Sequence, residues 1–477
     1  MVRTKENQMS ISLLNRDSRR TIIWVTSVLI IITSASAGLD CSKLKPTTIQ
    51  EGEWSSPSNT LRSERFDIFW GDKRSSEPWK DVPTDSPSYF DPREIMKIAE
   101  SYWTAAVDDL QVYRADHYLP RDRLRIVIKG TWKTWRGKPG SSGEGRYAIG
   151  GGITVVEDGN KSMPGGHTII TPRLAMDPYV LTHELTHALQ TYAAWDRDPP
   201  GPPVDTDAWK VFGMTHESHA TFIPVLARIG KGQTKLCIAT LSTKHLRPGR
   251  KRPYQNWTWM QFLCDKENPR FYSRVIQDHR SLGMHPFESV KRRKKFSAKQ
   301  FADYWFEHAQ RNVTGDYTTP NIRLTIERMR KDNKPLTVKM LPVAGEPDTF
   351  EVPTEFVPQR FAYNHILLHP TNRADGKPHK ISVTLRGKPN ADESADWRFG
   401  FCVITSDDQP RYVGPASDGK RATVKLAAND KQVYLVVMAT PDNLLPFDVV
   451  DPKEEDVPRY PYTVKIQGAV PDQETDD

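Results

Sequence analysis

The stretch Thr182-His183-Glu184-Leu185-Thr186-His187-Ala188 sets two histidines four residues apart, with a glutamate directly after the first. On a helix, positions i and i+4 share one face, so His183 and His187 can grip one metal ion with their imidazoles. Glu184 then lies beside the open coordination position, where a carboxylate can take a proton from metal-bound water. The chemistry that suits this spacing is hydrolysis at a zinc ion. It requires a helix, and the flanking residues call for one. Asp177 before Pro178 is a cap followed by proline at the first helical position. Val180, Leu181, Leu185, Ala188 and Leu189 recur at helical spacing. A buried helix with two hydrogen-bonded histidines is the reading that the pattern leaves open beside the metal site.

Thr182 to Gln190 resembles the metal helix of the zincin metallopeptidases. The resemblance implies an α+β catalytic domain with a mixed sheet and a helical lobe. It also implies a Zn²⁺ cofactor, a peptide or protein substrate, and Glu184 as the general base. Catalytic zinc takes three protein ligands and one water. The extended metzincin pattern needs a glycine three residues after His187 and a third histidine six residues after it. Gln190 and Ala193 stand there instead. Gly213 to Phe222 is similar to the second helix of gluzincins, which implies Glu217 as the third ligand, with His216 and His219 as rivals. Peptide hydrolysis also needs an oxyanion donor, for which His219, Tyr192 and Tyr147 are candidates. The segment Trp195 to Pro203, rich in proline, makes the gap between the two helices longer than in the commonest gluzincins.

Zincins bind an extended substrate along an edge strand. Arg146 to Val156 reads as a glycine-rich strand whose Gly150-Gly151-Gly152 would let another backbone come close. His167 to Thr171 reads as a second, short strand leading into the helix. A glycine loop beside two ordinary core strands fits the residues equally well. Further upstream, Phe66 to Trp70 and Leu124 to Lys129 read as strands, with Leu124, Ile126 and Ile128 on one face. Asp91-Pro92 should start a helix carrying Ile95, Ile98, Ala99, Tyr102, Trp103 and Ala106.

The first 37 residues resemble a secretory leader rather than part of a fold. Arg16, Arg19 and Arg20 precede an apolar run from Thr21 to Thr33, and Ser34-Ala35-Ser36-Ala37 offers a small-residue cleavage site. An uncleaved anchor is the alternative, although the run is marginal for a span of about 20 residues. No other segment is apolar enough to span a membrane. Secretion fits the three sequons at Asn160, Asn256 and Asn312. The four cysteines, Cys41, Cys237, Cys264 and Cys402, permit two disulfides, with Cys237 to Cys264 the favoured pair. None has metal-ligand spacing.

The chain of 477 residues carries 67 Lys and Arg against 59 Asp and Glu, a net charge of +8. Loss of the leader, with five basic and two acidic residues, leaves a mild +5. Specific nucleic-acid binding is not indicated. Two basic runs stand out, Arg247 to Arg252 and Lys291 to Lys295. A solvated face or loop is the simplest reading of them; contact with an extracellular glycan or dibasic processing are the others.

Residues 38–335 should form the zincin-like domain, mixed at first and mainly helical after about residue 171. Ser297 should cap a helix burying Phe301, Tyr304, Trp305 and His308. Near residue 335 helical periodicity gives way to alternation. Thr337–Met340, Ile381–Leu385, Phe399–Ile404, Ala422–Leu426, Val433–Met438 and Tyr462–Ile466 are strand candidates separated by turn residues. Residues 336–470 therefore read as a β-sandwich, and 471–477 as a disordered tail. The sandwich would serve as a glycan-binding or cell-surface module, or as a passive packing domain. Taken together the residues point to a secreted zinc metallopeptidase. A zincin-fold surface-binding protein with little activity, or a zinc hydrolase of another amide bond, is the competing expectation.

Overall fold

The structure is a computed structural model that describes residues 40–49, 58–113, 123–135, 138–139, 149–156, 163–195, 216–227, 257–282, 285–331, 336–371, 378–388, 394–442 and 458–473. The fold is α+β. Its N-terminal sheet is built from β1 (Thr47–Ile49), β2 (Ser58–Arg62), β3 (Phe66–Gly71), β4 (Leu124–Ile128), β7 (Ile149–Val156) and β8 (Met163–Ile170), in the order β1-β2-β3-β4-β8-β7. Strands β3, β4 and β8 run parallel; β1, β2 and β7 are antiparallel to their neighbours. A small hairpin of β5 (Thr134–Trp135) and β6 (Lys138–Pro139) lies between β4 and β7 in the chain.

Alternation decides which side of this sheet is core. Phe66, Ile68 and Trp70 of β3, and Leu124, Ile126 and Ile128 of β4, are fully buried. They meet helix α1 (Pro92–Trp103), whose Ile95, Met96, Ala99 and Tyr102 are buried at helical spacing. Asp91 caps α1 as expected, its carboxylate accepting from the Arg93 amide at 2.9 Å. The glycine-rich strand β7 is the sheet edge, and its register against β8 shifts between Gly150 and Gly152. Strand β8 begins at Met163, four residues earlier than its apolar segment suggested. Pro164, Gly165 and Gly166 obscured it in the sequence.

The helical part comprises α2 (Pro172–Ala175), α3 (Pro178–Trp195), α4 (His216–Leu226), α5 (Thr258–Lys266), α6 (Pro269–Leu282), α7 (Pro286–Lys294), α8 (Ala298–Arg311) and α9 (Pro320–Lys331). Helix α8 opens with the expected Ser297 cap, completed into a reciprocal capping box by Gln300. Its Phe301, Tyr304, Trp305 and His308 are buried, with Trp305 stacked on Phe287 at 3.7 Å between ring centroids. The basic run Lys291 to Lys295 is the last turn and C-cap of α7. Arg293 is paired with Asp278 at 2.6 Å and Lys294 with Glu267 at 2.8 Å, while the turn as a whole faces the negative end of the helix dipole. The other run, Arg247 to Arg252, lies outside the described residues.

The remainder is a two-sheet sandwich. Its strands are β9 (Leu341–Pro342), β10 (Thr349–Glu351), β11 (Tyr363–Pro370), β12 (His379–Gly387), β13 (Trp397–Ile404), β14 (Pro410–Ser417), β15 (Arg421–Leu426), β16 (Gln432–Ala439), β17 (Tyr462–Gln467) and β18 (Ala469–Pro471). They form the sheets β15-β12-β17-β10-β9 and β14-β13-β16-β11-β18. Ile381, Val383 and Leu385 of the first face Phe399, Phe401, Leu435 and Val437 of the second in one core. The expected strand at Thr337–Met340 is displaced to Leu341–Pro342, Met340 making a single bridge to Gln473. Nor is the tail unstructured from residue 471: Pro471 pairs with Leu368, and the Asp472 amide donates to Leu367 at 3.0 Å.

The second sheet has helices on its other face. Cys402, Ile404, Tyr434, Val436 and Met438 belong to the same hydrophobic core as the helices. Gln310 of α8 donates to the Phe401 carbonyl at 2.9 Å, His365 is bonded to the Ala309 carbonyl at 2.9 Å, and the Arg398 guanidinium meets Asp303 at 2.8 Å. Sandwich and helical lobe thus share an interior. Among the described residues no helix is long and apolar enough to cross a membrane.

Candidate metal centre

Helix α3 starts where Asp177 predicts. The Asp177 carboxylate accepts from the Tyr179 and Val180 amides at 2.9 and 3.2 Å. Leu181, Leu185 and Leu189 bury one stripe of the helix against α1 and the sheet. The Tyr102 hydroxyl of α1 meets the Thr186 hydroxyl at 2.6 Å. That anchorage turns His183 and His187 toward α4, the next helix among the described residues.

There the two imidazoles meet the carboxylate of Glu217. His183 Nε2, His187 Nε2 and Glu217 Oε2 form a triangle with sides of 3.2, 3.2 and 3.2 Å. A tetrahedral ion with bonds of about 2.0 Å would hold its ligand atoms about 3.3 Å apart. The observed triangle is therefore the size that one zinc-like ion requires. Two imidazole nitrogens and a carboxylate oxygen converging on one spot offer three lone pairs that one cation could accept together. Among the described residues this is the cluster of His, Cys, Asp and Glu side chains able to hold a metal.

The surroundings favour a cation as well. His183 and His187 are 9% and 4% exposed. Burial alone would raise the Glu217 carboxyl; its contacts with His183 and His187 outweigh that and hold it well below the usual carboxylate range. Burial likewise pulls the His187 imidazole down, but Glu217, aided by the charge of Glu184, overcomes it and lifts the group above the ordinary histidine value. A pocket that favours positive charge on a buried imidazole is a negative one, which also suits a divalent ion. Glu184, half-buried, is near enough for its charge to be felt at His187. Gln190, one turn beyond His187, accepts from the other side: its Oε1 lies 2.8 Å from His187 Nδ1. Held so, His187 carries its hydrogen on Nδ1 and presents the Nε2 lone pair to the site. The sequence reading passed over Gln190, although its i+3 spacing from His187 was the signal.

His219, a rival ligand and candidate oxyanion donor, is turned elsewhere. It follows Glu217 by two residues, which is 200° around a helix, so the two side chains cannot face one site. Its Nε2 is 2.9 Å from the Tyr113 hydroxyl, its Nδ1 is bonded to the Tyr272 hydroxyl, and it is fully buried. His216 opens α4 and Tyr192 lies in the last turns of α3. Tyr147 lies outside the described residues, as do Asn160, Asn256 and residues 1–37.

One further expectation is corrected. Asn312 is fully buried, its amide nitrogen donating to the His308 carbonyl at 3.0 Å and lying 2.9 Å from His308 Nε2. A glycan cannot be attached there in the folded protein. Cys264 is a buried free thiol, and its expected partner Cys237 lies outside the described residues.

Comparison with known proteins settles the family. The profile described as "Family of unknown function (DUF6055)" matches residues 30–473. The chain belongs to the DUF6055 family. No curated protein matches it in sequence. Among solved structures, the crystal structure of Yersinia pseudotuberculosis-derived mitogen is similar at a TM-score of 0.17 and 8% identity, over 25% of this chain and 84% of its own. A likeness that slight carries no weight for this DUF6055 member.

Proposed function

We propose that this DUF6055 protein is a zinc-dependent hydrolase acting on peptide bonds. The observation that carries the reading is the 3.2 Å triangle of His183 Nε2, His187 Nε2 and Glu217 Oε2, with Glu184 beside it on the same helix. Two imidazoles and one carboxylate are a donor set suited to catalytic zinc, which leaves a position open for water or substrate. A bound zinc ion would supply Lewis acidity, polarising a scissile carbonyl and acidifying water. The chain's own part is proton transfer and positioning. Glu184 accepts the proton of the attacking water and returns it to the departing amine. With His219 held between two tyrosines, Tyr192 and Tyr147 are the candidates for steadying the developing oxyanion. The leader-like N-terminus and the sequons at Asn160 and Asn256 support action outside the cell. The sandwich, sharing a core with the helices, acts as structural support.

The test is elemental mass spectrometry of the purified chain, followed by peptide hydrolysis. About one zinc per wild-type chain, sharply reduced in Glu217→Ala, is the expected result. Glu184→Gln should keep its zinc and lose on the order of 10²–10⁴-fold in kcat. Wild-type protein that takes up no zinc overturns the reading. Zinc without hydrolysis of any peptide or other amide leaves a metal-stabilised binding protein.

A further inference from the structure

Helix α4 brings Glu217 to the metal triangle, and its other side is buried, with Phe222 stacked on Trp257. It has 11 residues and carries Pro224 inside it, which removes one backbone donor from its last turns. Rotation about its axis is the dangerous freedom. A turn of about 10° would carry a carboxylate about 6 Å from the axis through about 1 Å, several times the roughly 0.2 Å tolerance of a metal–ligand bond. Apolar packing is not directional, so hydrogen bonds on the face opposite Glu217 are suited to fixing that rotation finely.

His219 occupies that face. Its two nitrogens are taken by hydroxyls from two different elements, Tyr113 at 2.9 Å and Tyr272 of α6. The Tyr272 hydroxyl also reaches the Met260 sulfur at 3.4 Å. Delivery of Tyr113 consumes irregular backbone. After α1 the chain winds as a π-helix over Thr104–Asp109, a form rare outside functional regions, and Gln111 takes a left-handed φ of 53°. The distorted segment is tied to α6: Ser273 Oγ donates to the Leu110 carbonyl at 2.6 Å, and Gln277 Nε2 to the Gln111 carbonyl at 2.6 Å.

We infer that Tyr113, His219 and Tyr272 are a positioning triad that locks the rotation of α4 and so holds Glu217 as a metal ligand. The inference rests on the zinc reading of the site and deepens it. None of the three belongs to the ligand triangle; they act through Glu217.

Cobalt(II) is the probe, since its visible absorption reports coordination geometry and its uptake can be titrated. Full-length Tyr113→Phe and Tyr272→Phe each remove one hydroxyl and keep the ring. Each should weaken cobalt binding by about 10–100-fold, the usual effect of deleting a group that orients a ligand, and should change the intensity or position of the visible bands. His219→Leu should do so more strongly, and His219→Gln, whose amide can reach one tyrosine, should restore part of the affinity. Folding is followed by circular dichroism; if His219→Leu does not fold, the two single-hydroxyl variants decide. Folded Tyr→Phe variants that bind cobalt with wild-type affinity and spectrum, even at lower thermal stability, overturn the triad and leave it a buried polar cluster. Wild-type protein that binds no cobalt overturns the zinc reading instead, and the inference with it.

Discussion

His187 is held from two sides, by the Glu217 carboxylate at Nε2 and by the Gln190 amide at Nδ1. The second contact selects the tautomer. Removing it leaves Nδ1 without its acceptor and lets the ring turn, while the ligand atom itself is untouched. Gln190→Leu should therefore lower zinc affinity by on the order of 10–100-fold and leave the fold intact. Competition with a chromophoric chelator measures this directly, and an unchanged affinity would show that the amide has no orienting role. At this scale the sequence was legible where spacing alone decides geometry. His183, Glu184 and His187 are fixed by the helical repeat. Asn312 misled because a tripeptide motif carries no record of burial. His219 stood as a rival to Glu217 because closeness in sequence hides the 200° that separates i from i+2.

An element can be placed by one cap. Asp177 satisfies two of the free amides at the start of α3, and that helix carries both histidines. Asp177→Ala should cost about 1 kcal/mol of unfolding free energy, measured by denaturant titration with and without zinc. Because the cap lies a turn and a half before His183, the loss should appear in stability while zinc stoichiometry is kept. A stoichiometric loss of zinc would mean that the helix start, not its buried leucines, aims the ligands. Caps and apolar stripes likewise made α1, α3 and α8 readable before any coordinates. Strands were harder. Strand β14 contains Pro410, Gly414 and Pro415, residues that argue against a strand, and it forms because it lies at a sheet edge where missing donors are tolerated. Strands β10 and β18 have three residues each, too few to show alternation. The π-helix after α1 has no local signature; the residues that follow it, Leu110 and Gln111, are tied to α6.

At the scale of the whole molecule, the chain changes from helices to strands between Lys331 and Leu341. Packing joins the two regions. Every residue of β13 is buried, although a sandwich strand with one solvent face would alternate. One side of β13 faces the other sheet, and the other side, through Cys402 and Ile404, enters the helical core. Phe301 of α8 packs edge-on against Phe361 at 5.3 Å, and the buried polar ties from Gln310, His365 and Arg398 cross the same boundary. A chain ending at residue 335 would expose that side of α8. A phenylalanine buries roughly 150–250 Å². Uncovering half of that for Phe301 and Phe306 costs about 4–6 kcal/mol at 25 cal/mol/Å², against a total stability of roughly 5–15 kcal/mol for a typical domain. The Gln310 side chain would lose its carbonyl partners as well. The truncated chain should therefore be recovered poorly in soluble form and melt without cooperativity by circular dichroism. Co-expression of the two pieces should restore a cooperative transition, because each supplies the surface that the other lacks. A soluble, cooperatively melting fragment ending at residue 335 with a full complement of zinc would show the opposite: that the sandwich is a dispensable appendage and the metal centre needs only the first lobe.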